Sequence, residues 1–184
     1  MSDYQRTTRE CSFTQIRPEL LDAIRQHIEE HNLGNVESEL LICCETTSER
    51  KKAGLLTSLK DKLMGLPAPG SIQYSAAVVT PKWLIWAITD IKHGVLALSV
   101  RLTESEISDY DAKLVEDYGI NILGFSTGAT KRSLKFLGLG RGPASEKFKR
   151  VLKQAMEEAH NFEADRDRDE RKDFSPPPAK ASTP

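Results

Sequence analysis

The sequence predicts a mainly β, α+β fold: a seven-strand antiparallel barrel or sandwich capped at one end by a C-terminal amphipathic helix. Two observations predict it. Residues 37–140 read as short apolar runs split by turn residues. One helical stripe, Phe148, Val151, Leu152, Ala155, Met156 and Ala159, then runs through residues 144–161. Strands first and a closing helix last give an order that suits binding more than chemistry.

The elements follow in order. Residues 1–17 are polar and mixed in charge and are expected to be a flexible N-terminus. A first helix is expected over 18–32: Pro18 suits a first turn, and Leu20, Leu21, Ile24 and Ile28 form one apolar stripe, with Gly34 as the stop. Residues 39–47 read as a strand, and an insert over 51–70 follows. In the insert Leu55, Leu56, Leu59, Leu63 and Leu66 take helical spacing, and Pro67 to Gly70 ends it. Residues 72–79 and 82–89 read as strands joined by a tight turn at Thr80 and Pro81. The second is apolar on both faces and hence central. Strands over 95–102, 105–113, 120–127 and 133–139 complete the set. The body thus spans 35–161. The charged and proline-rich residues 162–184 are expected to be disordered.

At 184 residues the chain is one domain plus ends. With 39% apolar and 29% charged residues it reads as globular, and a net charge of −1 supplies no overall field for nucleic acid. Cys11, Cys43 and Cys44 are too few and too ill-spaced for a disulfide framework or a four-ligand zinc site, so a reduced, cytoplasmic protein is expected. Neighbouring cysteines in a strand point to opposite faces, which makes Cys43 and Cys44 strand fillers. The first residues lack the apolar core of a signal peptide. The longest apolar run, 83–88, falls far short of the ~20 residues of a membrane span.

Seven short strands closed by an amphipathic helix resemble the pleckstrin-homology-like superfold, in its bacterial or GRAM-related variants. The hairpins 71–90 and 121–139 and the helix face of Phe148, Leu152 and Ala155 carry the resemblance. It covers about 36–161 by element order alone. The N-terminal helix and the insert are additions to the pattern. The resemblance implies a binding module for phosphorylated headgroups, peptides or partner domains, with Phe148 in the place of the closing-helix tryptophan common in such domains. It also implies basic residues in the first inter-strand connection, where this chain carries Arg50, Lys51, Lys52, Lys60 and Lys62. Their spacing departs from that of strong phosphoinositide binders.

The insert is therefore the first candidate contact: Leu55, Leu56, Leu59 and Leu63 on one side, Lys60, Asp61 and Lys62 on the other. Burying four leucines supplies on the order of 6 kcal/mol before ordering costs. Such a helix packs on its own domain, fills a partner's groove or lies on an anionic membrane. The second candidate is a basic hairpin carrying Lys131, Arg132, Lys135 and Arg141. Residues 131–153 hold eight cations against one acid, a net +7, whereas 104–117 hold one cation against six acids, a net −5. Segregation of this kind is either a solvated face or a device that orients docking. A protein partner is the leading expectation, an anionic membrane surface the next, and nucleic acid, with its steep salt dependence, the last. No cofactor, metal or small-molecule substrate is expected.

Three patterns imitate catalysis. His27 and His31 fit the H-x-x-E-H zinc signature, but no third ligand is near in sequence, so a solvent-facing helix end is expected. Gly124 to Gly128 matches G-x-S-x-G around Ser126. A nucleophile elbow needs a strand-to-helix turn, and here a strand follows. Gly138, Gly140 and Gly142 with Arg141 offer a possible anion cradle, although a sharp turn into the helix explains them. An enzyme would have to bring His27, His31, Ser126 or Arg141 into one pocket. The expected topology scatters them, and the chain is read as non-enzymatic.

Overall fold

A computed structural model describes residues 4–51, 70–90, 94–110 and 118–173. Two antiparallel sheets and two helices make a mixed α+β fold. Five strands form the larger sheet in sequential order: β1 (Tyr4–Glu10), β2 (Ile42–Arg50), β3 (Ile72–Val79), β4 (Trp83–Asp90) and β5 (Gly94–Arg101). The smaller sheet is β6 (Glu106–Asp109), β7 (Gly119–Gly124) and β8 (Ser133–Gly138). The described strands pair as two open meanders rather than as a closed barrel, bridged between Val100 and Ser126.

Period-two alternation gives the large sheet two buried faces. Cys43, Val78, Ile85 and Ala87 pack under helix α1 (Pro18–His31), beneath its Leu20, Leu21 and Ile24. Cys44, Ala77, Trp86 and Val100 face the other way. They meet Ile120, Ile122 and Leu137 of the small sheet and Phe148, Leu152 and Ala155 of helix α2 (Pro143–Asp173). Cys43 and Cys44 thus fill opposite cores, and β4 is interior to its sheet, as their patterns predict.

Four expectations are corrected. The N-terminus is not free: Tyr4–Glu10 pairs along the whole of β2, from Tyr4 opposite Arg50 to Glu10 opposite Cys44. Its polar side chains have polar partners, such as the 2.8 Å bond between the Thr8 and Thr46 hydroxyls, so no apolar alternation announces the strand. β2 begins three residues later than expected and runs to Arg50. Helix α1 is stopped by Asn32, which takes the left-handed conformation at φ 51° before Gly34. Helix α2 continues through Asp173, beyond the point where disorder is expected. The expected insert lies outside the described residues from position 52 to 69.

The turn between β3 and β4 shows how local chemistry sets the register. The Thr80 hydroxyl accepts the Trp83 N–H at 3.0 Å, and the Thr80 N–H donates to the Trp83 carbonyl at 2.9 Å. Trp83 and Trp86 then face opposite sides: Trp86 enters the core, and Trp83 lies under the Arg101 guanidinium at 5.3 Å.

Candidate functional site

The basic and acidic segments meet each other. Arg132 binds Glu106 at 2.8 Å; Lys153 and Lys149 reach Asp109 at 2.8 and 3.4 Å, and the Lys153 hydrogen bond foremost holds the Asp109 carboxyl below its usual range. Lys147 binds Glu10 at 2.7 Å. These are exposed pairs worth ~1 kcal/mol or less each, yet they spend much of the +7 segment inside the molecule. Arg141 lies over the Tyr118 ring at 3.4 Å, and Lys135 donates to the Ser133 hydroxyl at 2.9 Å. Lys131 is exposed on the β7–β8 turn. Arg50 is buried at the end of β2 and Lys51 is exposed beyond it. Lys52, Leu55, Leu56, Leu59, Lys60, Lys62 and Leu63 lie outside the described residues.

What the hairpin leaves open is apolar. On β8, Leu137 points into the core while Leu134 and Phe136 point out. Leu134 is 65% exposed; Phe136 and Phe125 are exposed on the same hairpin, with Tyr110 against Phe136 at 4.6 Å. Exposed apolar side chains gathered on one sheet face with a polar rim mark a contact surface. The signal was present in the sequence as the alternation of Ser133 to Leu137, hidden because both of its faces are partly apolar.

A second feature lies between the sheets. Along the strands, the large sheet's inner face changes from apolar to polar: Ile42 and Cys44 give way to Thr46 and Ser48, and Ala77 and Val79 to Ser75 and Gln73. There the layers stand apart around a cavity of about 300 Å³, walled by Arg6, Ser48, Gln73, Ser75, Trp86 and, across from them, Lys135. The Arg6 guanidinium lies over the rings of Tyr4 at 4.7 Å and Phe136 at 5.5 Å.

The catalytic look-alikes come closer than expected. His27 is buried, not solvent-facing, because the first helix lies flat on the sheet. Its Nε2 is 2.8 Å from the Ser99 hydroxyl, which is 2.6 Å from the Thr127 hydroxyl in the G-x-S-x-G stretch. The His31 ring packs edge-on to His27 at 4.4 Å. This chain pins α1 to β5 and to the hairpin turn. Ser99 is fully buried, so it offers no surface to a substrate. Ser126 is also buried, and its loop leads into β8 rather than a helix. The described residues contain no cluster of three metal-ligating side chains. Gly140 is not an anion cradle: its N–H donates to the Thr8 hydroxyl at 3.0 Å. Sequence reasoning also passed over Cys11, whose sulfur lies 3.5 Å from that of Cys43. This contact lowers the Cys11 pKa and raises that of Cys43.

Burial first, and His31 second, lower the His27 pKa, against a smaller opposing pull from Glu30. A histidine with a depressed folded-state pKa is protonated more readily in the unfolded chain. Its stabilising effect is present above the unfolded value, about 6.5, and is lost as pH falls through that value towards the folded one. Thermal unfolding from about pH 7.5 down to 5 should show a steeper loss of Tm for the wild type than for His27→Gln. Parallel curves would remove His27 as the cause.

Neither known family models, nor curated proteins, nor solved structures give a match to this chain. No helix among the described residues is long and apolar enough to cross a membrane.

Proposed function

We propose that this protein is a non-catalytic binding module of the pleckstrin-homology-like kind, docking on a partner protein through the outer face of its small sheet. The observation that carries the reading is the exposed set of Leu134, Phe136 and Phe125 on one hairpin, beside which Arg132 is paired with Glu106. The order of a four-strand meander (β2–β5), a three-strand meander and a closing helix supports the superfold reading, with β1 and α1 as additions. A flat apolar sheet face suits a protein surface better than a bilayer, which favours protruding tips or amphipathic helices.

Recognition of this kind is apolar, so it should survive high salt. A photoreactive residue in place of Leu134, expressed in the native cell, should give a discrete protein adduct. The adduct should persist in high salt, vanish with Phe136→Ser, and be absent when the probe replaces exposed Ile72 on the large sheet. No adduct at position 134, or the same adducts from position 72, would remove the docking face. Adducts to lipid alone would point to a membrane surface instead.

A further inference from the structure

We propose that Cys11 and Cys43 are a peroxide-reactive thiol pair that closes to a disulfide at the end of the β1–β2 ladder. Cys11 meets the oxidant and Cys43 resolves the product. The inference goes beyond the docking reading and shares no residue with it.

Geometry carries the first step. The register of β1 on β2 ends with Glu10 opposite Cys44. One residue further along the same ladder, the Cys11 N–H donates to the Cys43 carbonyl at 3.2 Å. Opposed residues of antiparallel strands stand roughly 4.5–5.5 Å apart at Cα, inside the ~4.4–6.8 Å that a disulfide spans. Both side chains leave the sheet on one face: Cys43 lies in the core under α1, and Cys11 packs against that core. Their sulfurs are 3.5 Å apart and unbonded. Rotation about the Cα–Cβ bonds closes that gap without any slip of the strands.

Reactivity carries the second. The thiolate, not the thiol, attacks a peroxide. Cys11 is half-buried, whereas Cys43 and Cys44 are buried. The Cys43 contact foremost, and the Arg9 charge as well, lower the Cys11 pKa against burial, Glu45 and Glu10. The same contact raises the pKa of Cys43, and burial foremost raises that of Cys44. Cys11 is therefore the thiol that carries the negative charge and has access to solvent. Cys44 enters the opposite core, which leaves Cys43 as the resolving partner.

The chemistry balances with hydrogen peroxide as the oxidant. The Cys11 thiolate attacks one peroxide oxygen, the O–O bond breaks, and hydroxide leaves and is protonated to water. Cys11 is then a sulfenic acid. The Cys43 sulfur attacks the Cys11 sulfur, the S–O bond breaks, and the Cys43 proton leaves with the hydroxide as a second water. Together the two thiols lose two electrons and two protons. The new bond closes the loop 11–43, which carries α1, and fastens the end of β1.

The test treats the reduced full chain with a small excess of hydrogen peroxide and reads it by mass spectrometry. The chain should lose two hydrogen atoms, and dithiothreitol should restore them. A non-reducing tryptic digest should join residues 10–25 to residues 26–50. Cys44→Ala should keep the link, which assigns it to Cys43. Cys43→Ala should lose the link and leave a Cys11 sulfenic acid that dimedone traps. Dimedone added to the wild type with the peroxide should label Cys11 first, a readout that needs no variant to fold. Cys11→Ser should consume peroxide at least about tenfold more slowly. No loss of two hydrogens, a link that persists in Cys43→Ala or disappears in folded Cys44→Ala, links only between two chains, or first labelling at Cys43 or Cys44 would each overturn the proposal.

Discussion

Phe148→Ala is expected to destabilise the protein by about 3–5 kcal/mol, lowering Tm by roughly 10 °C or more. Phe148 is fully buried where helix α2 closes the gap between the two sheets. Its ring belongs to the cluster that joins Ile42 and Val79 of the large sheet to Ile120 and Leu137 of the small one. Truncation therefore leaves a cavity in the cluster that joins the two layers, which paired strands are poorly able to fill. Phe148→Leu should cost much less, because the apolar contact is largely kept. Denaturant unfolding of both variants checks this; equal small losses would mean that the end of the sandwich relaxes freely.

Gly140→Ala is expected to destabilise the protein by about 3 kcal/mol, although it adds one methyl group. A Cβ at position 140 would press on the backbone of β1, 2.8 Å from the Arg6 carbonyl carbon and closer still to its oxygen. Backbone in a paired strand cannot step aside, so the strain falls on the β1–β2 ladder or on the Gly140 hydrogen bond to Thr8. Gly138→Ala makes the informative control. Its Cβ would also collide with Arg6, but with the movable end of the side chain. It should therefore cost less stability while displacing the guanidinium from the cavity. Equal destabilisation by the two alanines would show that the β1 backbone is not the obstacle.

Much of the fold was legible from local patterns. Helix α1 begins at Pro18, β3 spans Ile72–Val79, and β4 and β5 shift by one residue from their expected bounds. Those segments carry a strong apolar period or an unambiguous turn, and both signals are local. β1 was not legible, because its side chains meet Thr46, Phe136 and Gly138 and need no apolar stripe. The extra turns of α2 beyond residue 161 were hidden for a related reason: a highly charged stretch carries no apolar face to announce a helix.

The candidate sites divide along the same line. Lys131, Arg132 and Lys135 were found by counting charge, but a count says nothing of partners. Only the folded chain places Arg132 on Glu106 and turns Lys135 towards the cavity, and it leaves Leu134 and Phe136 as the open surface. His27 offers the same lesson in reverse. Its spacing from His31 is local and visible, but its burial depends on Ser99, 72 residues away.

By itself the sequence determined the α+β class, the meander of short strands, the two-faced β4 and the closing helix. These follow from periods of 2 and 3.6 residues and from turn chemistry, which are properties of neighbours along the chain. Only the tertiary structure decided that Arg132, Lys149 and Lys153 meet Glu106 and Asp109, that the N-terminal segment becomes an edge strand, and that the large sheet's inner face turns polar beside Lys135. Those features depend on which distant residues meet. The meeting is set by the packing of whole layers rather than by any stretch of sequence read alone.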